Sequence, residues 1–409
     1  MTWSFDFLEE AISWVKAHRL WSVVAALGIA GISIFLKTLV SRAADDFYEA
    51  RKLGRQERRH QNRNGAKGQR PANENKTTEL SSSELLKFYS EERPIVISIS
   101  DKEWSFPASI EIMPEGDGRV GHQNLEFSYR DHLFELDPPL ESATQPYYRK
   151  LLEQKDQLGL FNGQPFRLAS LETNGRKTRI QVERCWYFDS LRTNFSMDQV
   201  LPDHGISLRE YIHGKTRKFE SFSSSRLPNH MGLVVIIETL DGQLLTQKRS
   251  RRVAVRGGTL SSSVSGTFEK SDLEYPGKDI SLEDALRAVY REMHAEMGGR
   301  FGGREQELVF LGLVREFRRG GFPDFYFYWR SDRALEQLKL DAQDAEERGE
   351  IDEFVGLPFN TDAFLHDKEK ERSAFEKRVN NILSSTEPKA NLTLRLGVAL
   401  TYQHFVERA

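Results

Sequence analysis

The longest apolar run lies near the start of the chain. From Leu20 to Leu36 it reads L-W-S-V-V-A-A-L-G-I-A-G-I-S-I-F-L without a charge, and Thr38, Leu39 and Val40 follow Lys37. With Lys37 snorkelling, residues 20–40 reach the roughly 20 residues that span a bilayer as a helix. Before it, Phe7, Leu8, Ala11, Ile12 and Val15 recur at helical spacing, with Glu9, Glu10, Ser13 and Lys16 largely opposite. Residues 1–19 are therefore expected to form an amphipathic segment on the membrane surface. In the C-terminal half the period changes. G-L-V-V-I-I-E within 231–239 predicts a strand, Asp241-Gly242 a hairpin turn, and L-L-T-Q-K-R the returning strand. Residues 281–298 predict a helix with Ser281 as N-cap, a buried stripe of Ala285, Leu286, Val289 and Met293, and Gly298 as its stop. Residues 308–316 and 324–330 read as further strands.

Charge orients the first segment. Lys37, Arg42, Arg51, Lys52, Arg55, Arg58, Arg59 and Arg63 follow the apolar run, whereas Lys16 and Arg19 precede it together with Asp6, Glu9 and Glu10. The excess of positive charge places the bulk of the chain in the cytoplasm, a single-pass arrangement at a bacterial inner membrane. A cleaved signal peptide would need a basic start and a small-residue cleavage site, and the chain shows an acidic start and Phe35-Leu36-Lys37. Residues 41–85, rich in Arg, Gln, Asn, Gly and Lys, read as a basic flexible linker near an anionic leaflet. No aromatic residues are interleaved in 54–83, so nucleic acid is not an expected partner. The expected partners are the lipid bilayer and, through the membrane helix, further copies of the chain.

Composition adds two limits. The 409 residues, 38% hydrophobic and 29% charged, suffice for two soluble domains. The single cysteine, Cys185, excludes an intrachain disulfide framework and reads as a packed structural residue in the strand-like run 180–188. Residues 90–228 alternate short apolar runs with turns. Residues 95–100 and 180–182 predict strands, 146–158 predicts a helix, and 186–194 is dense in aromatics. This segment is expected to be a β-rich α+β domain without a metal, nucleophile or phosphate-loop signature.

The chemistry concentrates in residues 229–409. Glu292 and Glu296 stand one turn apart on the helix 281–298 and share a face. Two such carboxylates can hold Mg²⁺ or Mn²⁺ when substrate phosphates and water complete the shell, although a pair at this spacing is commonly a solvated face. The basic run 248–256, with Arg249, Arg251, Arg252 and Arg256, suits phosphates and equally suits a solvated loop.

The order strand, hairpin, glycine loop and helix resembles the Nudix family over roughly 229–365. Its box, G-x5-E-x7-R-E-U-x-E-E-x-G-U with U bulky and apolar, is matched by Gly277, Glu283, Arg291, Glu292, Met293, Glu296 and Gly298. Ala295 replaces a metal-binding Glu, and Gly299 replaces the last apolar residue. A second register takes Gly266 of S-V-S-G-T-F-E as the box glycine, with 270–280 an insertion and the Ser265 carbonyl offered to the metal. This register resembles the nucleotide-sugar diphosphatase branch. The resemblance implies an α/β/α sandwich with a mixed sheet, Glu292 as catalytic carboxylate, Glu292, Glu296 and Ser265 as metal ligands, and Glu350 or Glu353 as a further ligand or base.

Three functions follow as expectations: an Mg²⁺-dependent hydrolase of nucleoside diphosphate-linked substrates, a receptor whose degenerate pocket binds a nucleotide, or a scaffold for protein contacts. A membrane segment, a linker and a C-terminal Nudix domain together resemble the membrane-anchored Nudix effectors of bacterial cyclic-oligonucleotide anti-phage systems (CBASS). That resemblance implies a cyclic nucleotide ligand and a helix that assembles to disrupt the inner membrane.

Overall fold

The computed structural model describes residues 79–407 apart from 156–159, 175–176, 250–258, 270–271, 273–281, 299–306, 346–350 and 386–389. The expected amphipathic segment, membrane helix and nearly all of the linker lie outside these residues. Among the described residues no helix is long and apolar enough to cross a membrane.

The fold is mixed α/β, with three sheets and no closed barrel among the described residues. In chain order the elements are α1 (Ser82–Phe88), β1 (Ile95–Ile99), β2 (Lys102–Phe106), β3 (Ala108–Ile112), β4 (Leu125–Leu133), α2 (Pro138–Gln154), β5 (Phe166–Asn174), β6 (Lys177–Arg184), α3 (Tyr187–Arg192) and α4 (Leu208–His213). There follow β7 (Gly232–Glu238), β8 (Gln243–Arg249), β9 (Leu260–Ser261), β10 (Val264–Thr267), α5 (Leu282–Met297), β11 (Val309–Glu316), β12 (Phe322–Arg330), α6 (Leu335–Asp341), β13 (Ile351–Pro358), α7 (Thr361–His366), α8 (Lys368–Leu383) and α9 (Leu392–Glu407).

The largest sheet is built around β7. Its order is β13-β8-β7-β12-β11-β3, with β10 also pairing β7 and β9 pairing β8. β12 runs parallel to β7 and the other pairings are antiparallel. β7 is buried along its whole length, which is why its sequence is a continuous apolar run. Leu233, Val235 and Ile237 pack with Ala285, Leu286, Val289 and Met293 of α5. Val234 and Ile236 pack on the opposite face with Phe375 and Val379 of α8 and Leu394 and Val398 of α9. Helices therefore cover both faces of the strand. One edge of β7 is divided between two partners: β8 pairs at Ile237 and Glu238, and β10 pairs from Gly232 to Val235. That division brings β10 under α5.

Residues on both sides of 228/229 share one sheet and one core. β3 pairs with β11 at the edge of the main sheet, and Phe127, Phe166, Ile180 and Val182 of the β4-β6-β5 sheet join the core beneath α5. The helix expected at 146–158 starts earlier, at Pro138. Asp137 caps it by accepting from the Leu140 N–H, and the buried Leu140, Ala143 and Thr144 hold its first turns. Pro146 is thus an exposed interior proline, not the start. Cys185 is fully buried beside the Pro165 carbonyl, and burial pushes its thiol up, away from the reactive thiolate.

Arg209 of α4 ties these parts together while fully buried. It donates to Asp198 at 2.7 Å, to the Tyr89 hydroxyl at 2.9 Å, and to the carbonyls of Phe317 and Arg318 at 2.7 Å each. Removing one partner of such a buried network leaves the others unsatisfied, at a cost of about 3–5 kcal/mol. Arg209→Met is expected to lower the denaturant midpoint accordingly. An unchanged midpoint would show that this network does not hold the turn and α1 in place.

Candidate functional site

α5 has an apolar face on the sheet and carries Glu292 and Glu296 at its border with β10. Both are only 7% exposed. A buried carboxylate is costly unless hydrogen-bonded, and the backbone of β10 meets that demand. Glu296 Oε1 accepts from the Ser265 N–H at 3.3 Å and Oε2 from Gln247 Nε2 at 2.5 Å. Glu292 Oε1 accepts from the Thr267 N–H at 3.2 Å and from Arg291 Nη1 at 2.9 Å. Gly266 lies between the two bonded amides. A Cβ there would stand 2.1–2.3 Å from the Glu292 side chain, so any other residue would require that side chain to shift. Gly266 is therefore the glycine brought to the pair, while Gly277 lies outside the described residues.

Arg291 closes the other side. Its guanidinium donates to both oxygens of Asp272, at 2.6 and 3.1 Å, and to the Thr267 carbonyl at 2.8 Å. Burial works against its charge, but Glu292 and Asp272 outweigh burial and hold the group above its ordinary value. Asp272 sits in the stretch that sequence treats as an insertion, where nothing marks it. Gln247 was legible in principle: it stands two positions after the buried Leu245 on β8 and so turns to the same face.

Of the remaining expected residues that the structure describes, Glu353 does not join the pair. Glu353 is exposed on β13, and its neighbour Phe354 is the residue that enters the core beneath α5, so Glu353 turns away. Arg249 ends β8, and Arg251, Arg252, Arg256 and Glu350 lie outside the described residues. Ser265 meets Glu296 through its N–H. Among the described residues no group of three or more His, Cys, Asp or Glu side chains could hold a metal ion. Mg²⁺ wants near-octahedral oxygen ligation, and here two carboxylates already accept from amides and a guanidinium. The pair does not by itself fit a resident Mg²⁺ or Mn²⁺.

A cavity of about 220 Å³ opens beside Ser265, Gly266 and Thr267. Val264 is buried in the core under α5, and Gly266 faces Glu292, so alternation turns Ser265 and Thr267 to the other side. β10 is thus a partition with the carboxylates on one side and the cavity on the other. Arg319, Asp324, Phe322 and His230 line the cavity, as does the amino end of α9 at Asn391 and Thr393. None of these carried a sequence signal, because they come from separate loops and strand ends.

No family model matches the chain, and no curated protein matches it. Among solved structures it is similar to DR0079 from Deinococcus radiodurans, at 17% identity and a TM-score of 0.20, over 26% of this chain. The match spans 57% of that protein.

Gly266→Ala tests the geometry of the partition. The added methyl is expected to push Glu292 off the Thr267 amide and cost about 1–3 kcal/mol as overpacking does. A melting temperature equal to that of the unsubstituted protein would contradict the close approach.

Proposed function

We propose that residues 229–409 form a Nudix-like α/β/α sandwich that binds a nucleotide and retains it, and that the chain is a membrane-anchored receptor-effector. Of the effector classes it resembles, the reading favours the anti-phage (CBASS) type, in which a cyclic nucleotide signal acts on a membrane segment. One observation carries the receptor reading. Glu292 and Glu296 are folded onto the β10 amides, Ala295 supplies no third acid, and a cavity lies across the strand from them. Diphosphate hydrolysis by metal ions needs ligands that hold the ions and lower the pKa of the attacking water. A pocket with too few of them retains binding surface and loses turnover. The apolar run at 20–40 supports the effector reading, since nucleotide clean-up gains nothing from a membrane address.

For a ligand to act on the membrane segment it must favour the assembled state over the resting one, because equal affinity for both shifts nothing. The alternative, an Mg²⁺-dependent hydrolase of nucleotide sugars or related diphosphates, is favoured by the helical Arg291, Glu292 and Glu296 at the box spacing.

Ala295→Glu discriminates the two. Ala295 is half-buried on α5 between the paired acids, so a carboxylate there restores the missing ligand. Under the receptor reading Mn²⁺ binding tightens by about 10–100-fold and hydrolysis of ADP-ribose or a nucleotide sugar appears where the unsubstituted protein shows none, whereas under the hydrolase reading the unsubstituted protein already turns these substrates over. If metal binding and hydrolysis both stay unchanged, the vacancy at 295 is not what limits the site.

A further inference from the structure

The described residues begin at Glu79, with a segment that its neighbours in sequence do not hold. α1 has seven residues, and a helix that short does not hold itself in water, where about 12–15 are needed. β1 and β2, which follow it, pack with α8 and α9. Residues 79–92 pack elsewhere, in a small separate cluster. Leu85 and Tyr89 are buried there with Phe219 and Phe317, and Leu80, Leu86 and Phe88 lie at its margin. Polar contacts pin both ends. Glu79 pairs with Arg318 at 3.0 Å, the Leu80 N–H reaches Asp198 at 3.4 Å, and Glu92 accepts from the Phe219 N–H at 2.6 Å.

Tyr89 joins this segment to the turn 316–321 through one nitrogen. Arg209 Nη1 donates both to the Tyr89 hydroxyl at 2.9 Å and to the Phe317 carbonyl at 2.7 Å. The same Phe317 carbonyl accepts from the Gly320 N–H at 3.1 Å, and the Glu316 carbonyl accepts from the Gly321 N–H at 2.9 Å. Both glycines are left-handed, so the turn depends on these bonds and on few side chains. The Tyr89 ring lies against Phe219 and Phe317, with centroids 4.4 and 5.3 Å away. Its hydroxyl also meets His213 Nδ1 at 3.0 Å. Burial, with Arg209 nearby, pushes that imidazole down to about 3, so it is neutral and its Nδ1 can take the hydroxyl proton.

A contact of this kind is made or broken as a whole. Lifting α1 takes the hydroxyl from both His213 and Arg209 inside a buried cluster, where unmade hydrogen bonds are costly. The cluster is nonetheless small and separate from the two large cores, and that separation lets a segment open without the rest.

We propose that residues 79–92 form a strap that opens as a unit, and that its docking sets the conformation of the turn 316–321. Because coupling is reciprocal, a ligand that changes the turn then changes the hold on the chain leading away from Glu79. This last step rests on the receptor reading; the coupling of strap to turn does not.

Hydrogen exchange of the full chain in detergent, read by mass spectrometry, tests both. In the unsubstituted protein, peptides within 82–92 are expected to exchange at least tenfold faster than those of β7 and α5. Tyr89→Phe removes the hydroxyl and keeps the ring. Leu85→Ala loosens the strap and keeps every group of the hydrogen-bond network. Each is expected to speed exchange at 82–92 and, by several-fold, in peptides covering 316–321, with β7 unchanged. Exchange of 82–92 as slow as that of β7 would overturn the strap as an opening unit. A loosened strap with unchanged exchange at 316–321 in both variants would overturn the coupling. Cyclic di- and trinucleotides that bind the unsubstituted protein are expected to change exchange at 82–92 several-fold. Binding without that change would remove the strap from signalling and leave the receptor reading standing. Absence of binding would overturn the receptor reading, and the two variants would still decide the coupling.

Discussion

Two buried carboxylates have to be hydrogen-bonded, and the backbone of a short strand is what bonds them. Glu292 and Glu296 fix the distance from α5 to β10 through the Thr267 and Ser265 amides. At that distance a side chain at 266 would meet the end of the Glu292 side chain. It also presents Arg291 to the Thr267 carbonyl, with Asp272 holding the guanidinium from beyond. The same constraint sets the other side, because a strand pinned at two amides has only one direction in which to turn Ser265 and Thr267. The cavity lies there.

Short-range periodicity made much of this architecture legible. β7, β11, β12 and α5 lie where the apolar runs and the helical stripe predict them. Gly298 ends α5 in the left-handed conformation, where a Cβ would meet the Asp341 carbonyl. S-V-S-G-T-F-E pointed to Gly266 through its resemblance to the Nudix strand-end loop. Long-range partnerships were not legible. Asp272 reaches Arg291 across 19 residues, and Arg209 reaches Tyr89 across 120. Neither lies in a pattern that a local window reads. The joining of β3 to β11 likewise depends on an edge that exists only after the sheet has formed. The Pro146 error has a local origin: a proline is a common first helical residue, but Asp137 with Pro138 forms the stronger start.

The receptor reading we propose is supported by how the carboxylates of α5 are hydrogen-bonded. Glu292 and Glu296 are committed to amides, Gln247 and Arg291, and Arg319 is committed to Glu316 and Asp324. The turn that carries Arg319 is held from behind by Arg209, which also holds Tyr89 near the start of the described chain. Glu79 bridges Arg318 of the same turn at 3.0 Å. Glu79 and Arg209 thus hold the two residues before Arg319, which lines the cavity.

The most direct measurement incubates the full chain in detergent and Mg²⁺ with cyclic di- and trinucleotides, nucleotide sugars and ADP-ribose. Mass spectrometry then reads the protein-bound and free fractions. The account predicts an intact nucleotide held on the protein and no nucleoside monophosphate in solution. Accumulation of a nucleoside monophosphate would contradict it and make the chain a working hydrolase.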